Sequence, residues 1–165
     1  MKKGRSWKWK NSKVEGSGKA LACALRALAR RDHSEAELRR KLRDKGFPAG
    51  GVDGAIDRLK VLGYLDDRRF AGRWADSAIR NGRAFGPRLR MELLRRGVAE
   101  SVVADVLAEL TGEHGEPETV AALLTRKFAG FDPKCADDRE KRRVIGYLQR
   151  RGFSIAAILK VFREQ

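Results

Sequence analysis

The chain has only two cysteines and two histidines in 165 residues. Cys23 and Cys135 lie too far apart for a metal-knuckle spacing, and two are too few for a disulfide framework, so reduced thiols in a cytoplasm are expected. His33 and His114 have no metal-ligand spacing with each other or with a cysteine, and no metal or other cofactor is expected. Apolar runs are short. None approaches the ~20 residues that a membrane span requires, and the one stretch that could pass for a leader, ALACALRALA, is interrupted by Arg26 and closed by Arg30 and Arg31, so it reads as a soluble helix. No window alternates with the period of two that marks a strand. Neither a Ser-His-Asp nor a Cys-His arrangement occurs. Gly50, Gly51 and Gly54 lack the preceding strand and the following Lys-Ser/Thr of a phosphate-cradling loop. The expectation is a protein that is not an enzyme and binds no nucleotide.

Positive charge is abundant. The formal charge is +15 and the isoelectric point about 10.5, which suits polyanions or acidic protein surfaces as partners. Residues 1–19 hold seven Lys/Arg and one acid, with glycine and serine and no apolar periodicity, and read as a flexible basic tail. Trp7 and Trp9, between Lys8 and Lys10, have the form of a base-stacking platform, but a disordered tail is the simpler reading.

From Ala20 onward the apolar residues fall at helical spacing. Leu21, Leu25 and Leu28, then Leu38 and Leu42, then Val52, Ile56 and Leu59 mark three helices. Phe70, Trp74 and Ala78, Leu89 and Leu93, and Val103, Val106, Leu107 and Leu110 mark three more. Val120, Leu124 and Phe128, Val144 and Leu148, and Ile155, Ile158, Leu159 and Phe162 complete a third set. The sets repeat. KLRDKGF, ELLRRGV and YLQRRGF end the middle helix of each, with the glycine at Gly46, Gly97 and Gly152, and Leu or Val stands eight and four residues before each glycine. Glycine just past a helix end adopts the left-handed conformation that closes it, and Lys45, Arg96 and Arg151 suit the negative end of the dipole. The residue after the glycine, Phe47, Val98 or Phe153, can pack back on the last turn.

These features predict an all-α protein of three tandem three-helix repeats, 20–65, 66–112 and 113–165, stacked into an elongated, curved molecule behind the tail 1–19. Ser34 and Ser154 are placed to cap helices, and Pro87 suits a first turn. In GYLDDRRFAGRW, Asp66 precedes a helix whose inner face starts at Phe70, so its carboxylate is placed to accept first-turn amides, with Asp67 near the positive dipole end. A catalytic carboxylate pair would need burial and a third group, which an exposed first turn does not provide. Tyr64, Phe70, Trp74 and Tyr147 read as core or core-edge residues.

Together, LGYLDDRRFA, SEAELRRKLRDKGF, GPRLRMELLRRGV and KRRVIGYLQRRGFS closely resemble the RecX family of bacterial recombination regulators, in the family's order and over about Ala20 to Phe162. NGRAFG at 81–86 departs from the compact glycine-arginine-glycine more usual there, and 1–19 has no counterpart. The resemblance implies a cytoplasmic regulator that binds RecA recombinase, lodges along the groove of the RecA filament on single-stranded DNA, and limits strand exchange, ATP hydrolysis and repressor-cleavage stimulation.

Basic residues recur on the middle helices: Arg39, Arg40, Lys41 and Arg43; Arg88, Arg90, Arg95 and Arg96; Lys141, Arg142, Arg143, Arg150 and Arg151. Arg80 and Arg83 flank the Gly82 turn on a loop of the kind where functional residues collect. Solvated helix faces would account for some of them. Their repetition makes a track suited to a helical polymer, on which weak contacts add through effective concentration. A monomer is expected, with RecA and its filament as partners, direct DNA contact through the track, and no membrane partner. The rivals are a helix-turn-helix DNA binder that places GPRLRMELLRRG in a major groove, and a general RNA binder. The three sets lack one distinguished recognition helix with Asn or Gln beside its arginines, which weighs against the first.

Overall fold

The computed structural model describes the backbone of residues 6–164 and the side chains of 17–110 and 114–164. Its described residues form α-helices joined by turns, with no strand: α1 (Ser6–Leu28), α2 (Glu35–Asp44), α3 (Ala49–Val61), α4 (Asp67–Arg80), α5 (Gly86–Arg95), α6 (Glu100–Glu113), α7 (Glu116–Lys127), α8 (Asp138–Gln149) and α9 (Ile155–Glu164). The all-α expectation and the three helical triplets are met. No described helix is long and apolar enough to cross a membrane.

The helix starts follow the local chemistry. Ser34 Oγ accepts from Glu37 N at 3.1 Å, Asp66 Oδ1 from Arg69 N at 3.0 Å, Asp137 Oδ1 from Glu140 N at 2.7 Å and Ser154 Oγ from Ala157 N at 3.2 Å. Each satisfies an amide that the first turn would leave without a partner. Gly46, Gly97 and Gly152 follow the ends of α2, α5 and α8 with φ of 81°, 80° and 95°. A side chain there would meet the backbone clash that makes the left-handed region costly for other residues.

The chain forms two compact units, one of residues up to Phe70 together with Arg96–Val98, the other of Ala71–Arg95 with Ala99 onward. In the first unit α1 packs mainly on α3, with α2 against both. Leu38, Leu42, Ile56 and Leu59 are fully buried, each stabilising by ~1.5–3 kcal/mol relative to exposure. In the second unit α5 packs on α6, and α9 on α7 and α8. Leu89, Leu93, Val103, Val120, Val144, Leu148 and Ile158 fill its interior.

Three expectations need correction. The first is the inner face of α1, which consists of Ala20, Cys23, Ala24 and Ala27, whereas Leu25 is exposed and Leu21 and Leu28 only border the core. The facing helix explains this. Gly51 and Ala55 of α3 are buried, and a Cβ on Gly54 would stand 3.0 Å from Ser17 Oγ. Small residues on both helices let the backbones approach closely and push the leucines to the flanks. The second is the tail 1–19, because α1 begins at Ser6. Extending a nucleated helix costs little, and the core anchors it from Ala20 onward. The side chains of Trp7 and Trp9 lie outside the described residues. The third is Tyr64, which is exposed.

Candidate functional site

The basic track separates into two populations once its neighbours are in place. One is engaged within the chain. Arg39 Nε donates to Glu35 at 2.8 Å and its Nη1 contacts Asp53, while Lys60 shares Glu35 at 2.9 Å. Arg80 Nε donates to Asp76 at 2.8 Å, Arg88 Nε to Glu92 at 2.9 Å, and Arg90 pairs with Glu100. Arg143 lies 3.4 Å from Glu140. Several of these pairs are four residues apart on one helix, a spacing that contributes a few tenths of a kcal/mol and leaves the cation less available to a partner. Arg83 reaches Ser77 Oγ at 3.5 Å, and Arg151 stacks 3.4 Å above the Tyr147 ring.

The second population is exposed. Arg40, Lys41 and Arg43 on α2, Arg95 on α5, and Arg142 and Arg150 on and after α8 are solvent-facing, with no ion pair among the described residues. Lys141 is half-buried. Exposed cations therefore recur on all three middle helices, and these side chains remain available to an anionic partner. The loop after α4 is anchored at its far end by buried Ala84 and Phe85, and the Gly82 turn presses on Leu123.

Arg96 stands apart. It belongs to a cluster in the first unit that spacing along the chain does not reveal. Ser34 Oγ donates to the Arg96 carbonyl at 2.5 Å, and Arg96 Nη1 donates to Glu37 Oε1 at 2.5 Å. Glu37 also takes Arg31 at 2.8 Å and is only 8% exposed. His33 Nδ1 lies 3.3 Å from Glu37 Oε2 without the alignment of a hydrogen bond. Burial pushes the Glu37 carboxyl up, but the hydrogen bonds and charges of Arg31 and Arg96 outweigh it and hold the group below its usual range. Burial and the charge of Arg31 push the His33 imidazolium down, only partly offset by Glu37. Asp67 Oδ1 accepts from Glu35 N at 2.7 Å, tying the start of α4 to that of α2, and burial raises its pKa.

Beside this cluster lies a half-open groove of about 410 Å³, lined by Cys23, Arg26, Ala27, Arg30, Arg31, His33, Lys41 and Lys45. It has five permanent cations and no carboxylate on its walls. In the sequence Arg26, Arg30 and Arg31 read only as interruptions of an apolar run, and Lys45 only as a dipole partner. The spacing of Arg26 with Arg30, and of Lys41 with Lys45, four apart across the ends of two helices, is the signal the sequence offers. Cys23 and Cys135 are free thiols, buried and exposed respectively, and no described group of His, Cys, Asp and Glu is arranged to hold a metal.

Three family models match the chain: the first three-helix domain of RecX at residues 20–59, the second at 66–107 and the third at 116–162. A protein named Regulatory protein RecX from Trichlorobacter lovleyi is 43% identical over 154 residues, covering 92% of this chain and 100% of that protein. Its namesake from Syntrophotalea carbinolica is 38% identical over 146 residues, covering 88% and 95%. Among solved structures, a crystal structure of regulatory protein RecX superposes with a TM-score of 0.79 at 19% identity, over 100% of this chain and 81% of that one. A RecX from Lactobacillus salivarius superposes with a TM-score of 0.73 at 18% identity, over 92% and 97%.

Proposed function

Because the chain belongs to the RecX family of regulatory proteins, we propose that it binds RecA recombinase and its filament on single-stranded DNA and restrains the filament's activity, without chemistry of its own. One observation carries this reading: exposed cations without an ion pair among the described residues recur on or just after the middle helix of each triplet, on Arg40, Lys41 and Arg43, on Arg95, and on Arg142 and Arg150. A filament presents the same acidic or phosphate-bearing surface at regular intervals, so similar cationic faces carried in series gain through effective concentration what each lacks alone. Arg39, Arg80, Arg88, Arg90 and Arg143 belong to the track through their neighbours, but their charge is partly satisfied within the chain. Their contribution to binding is therefore smaller, and reversing them would set a new carboxylate against an existing one.

The test measures RecA-promoted strand exchange in the presence of the full chain. Reversal of Arg40, Arg43, Arg95, Arg142 and Arg150 to Glu should abolish inhibition while circular dichroism keeps its helical amplitude. Undiminished inhibition would remove those side chains from the contact. Sequence-selective binding to bare duplex, with nothing gained from RecA-coated DNA, would instead favour a helix-turn-helix reader.

A further inference from the structure

The geometry points to a docking site at the turn Lys45–Gly46–Phe47, where the first turn of an acid-bearing helix on the recombinase would seat. Its occupant rests on the reading above; the site itself rests on a pattern that the molecule uses twice. In the first unit the turn after α5 packs on the start of α2. Ser34 Oγ donates to the Arg96 carbonyl, Glu37 takes the Arg96 guanidinium, and a Cβ on Gly97 would collide with Ala36. In the second unit the turn after α8 packs on the start of α5 in the same way. Phe85 N donates to the Arg151 carbonyl at 2.8 Å, and a Cβ on Gly152 would collide with the Phe85 carbonyl and Arg88. In both cases the apolar residue after the glycine is sealed, Val98 and Phe153 each being 3% exposed.

The turn after α2 has the same residue pattern and the same glycine conformation, but no described residue covers it. Apart from its two chain neighbours, no described residue places an atom within 4 Å of a Cβ built on Gly46, Lys45 is exposed, and Phe47 is only half-buried. Around it the groove gathers Arg26, Arg30, Arg31, Lys41 and Lys45, of which Arg31 alone is paired with a carboxylate, Glu37, among the described residues. The two occupied examples define what completes such a turn: a helix start that offers a hydroxyl or free amide to the carbonyl before the glycine and, in the first unit, a carboxylate to the cation. A phosphodiester carries the charge but has no donor for that carbonyl, so a protein segment fits better than a nucleic-acid backbone. A second copy of this chain is a poor fit. The starts of α2 and α5 are already covered, and at the corresponding position in α8 the amide of Glu140 is bonded to Asp137.

Binding of the full chain is measured to recombinase assembled on single-stranded DNA, to the protein-free strand, and to itself by sedimentation. The variants are Lys45→Glu, Lys41→Glu with Lys45→Glu, the neutral Lys45→Gln, and Lys160→Glu, which makes the same charge change on α9. Lys45→Glu should weaken filament binding about tenfold, the double variant more and Lys45→Gln less. Binding to the protein-free strand should match that of Lys160→Glu, with thermal melting confirming folded variants. If the wild type binds the filament and Lys45→Glu binds equally well, this inference fails alone. Equal losses on protein-free DNA would assign the groove to phosphate, and a wild-type dimer dissolved by Lys45→Glu would assign it to a second copy; either overturns the proposal. No filament binding by the wild type would overturn the proposed function and, with it, the partner named here.

Discussion

The turn 96–98 in the first unit and the turn 151–153 in the second do the same job with different chemistry. Both present a carbonyl and a left-handed glycine to the start of a middle helix. The first is fastened by charge, through Glu37 between Arg31 and Arg96. The second is fastened by rings: Phe85 stacks on Phe153 with centroids 5.0 Å apart, and Arg151 lies over Tyr147. The backbone geometry is thus the conserved element within the molecule, and the side chains around it are interchangeable fasteners. Charge and aromatic packing respond to different stresses, which makes the comparison testable.

The largest expected effect is on the aromatic side. Phe153→Ala should cost ~3–5 kcal/mol in urea unfolding followed by circular dichroism, since it deletes a buried ring together with its stacking partner's contact. Gly152→Ala follows at ~2–5 kcal/mol, adding left-handed strain to a collision with the Phe85 backbone, which cannot move aside as a flexible side chain could. Gly97→Ala collides with a side chain instead, so the companion change Ala36→Gly should recover part of its loss. If both glycine variants cost the same and Ala36→Gly rescues nothing, the two turns are not seated as described.

On the charged side, Glu37→Gln should cost ~1–3 kcal/mol, because Arg31 and Arg96 retain some solvent. Acid should find the same weak point. The His33 pKa is lowered in the fold, so the folded state resists a proton that the unfolded chain accepts, and stability falls as pH drops below the ordinary value of 6.5. Glu37 is depressed as well, so its contribution is complete above the ordinary 4.5 and is lost as pH falls through its folded value. Hydrogen exchange at pH 7 and pH 5 should show protection falling at the start of α2 and holding around Phe85. Equal loss at both places would contradict the contrast. The smallest effect is Gly46→Ala, ~1–2 kcal/mol, from backbone strain alone, because no described residue beyond its chain neighbours presses on that glycine.

Much of this was legible in the sequence. The register of Leu or Val eight and four residues before each glycine located α2, α5 and α8 and the buried residues within them, because those helices bury one narrow stripe. It failed for α1, where Ala20, Ala24 and Ala27 face glycine and alanine of α3, and hydropathy favours the larger Leu21, Leu25 and Leu28 wherever two backbones come close. The helical course of 6–19 was hidden for a related reason, since a stretch with weak propensity extends when its neighbour is anchored. For the track, the repetition of cations was readable, and the pairs four apart, Arg39 with Glu35 and Arg88 with Glu92, could have been read. Arg96 with Glu37 could not, because only the folded chain brings them together.

The start of α8 differs from the starts of the other two middle helices. Glu35 and Gly86 open their helices eleven residues ahead of the glycine, whereas Asp138 opens α8 fourteen ahead of Gly152. The extra turn draws the amide of Glu140, twelve residues before its glycine as Ser34 and Phe85 are before theirs, into a bond with Asp137. Ser34 and Phe85 spend their donors on a following glycine turn, whereas the third helix start spends its donor on its own cap.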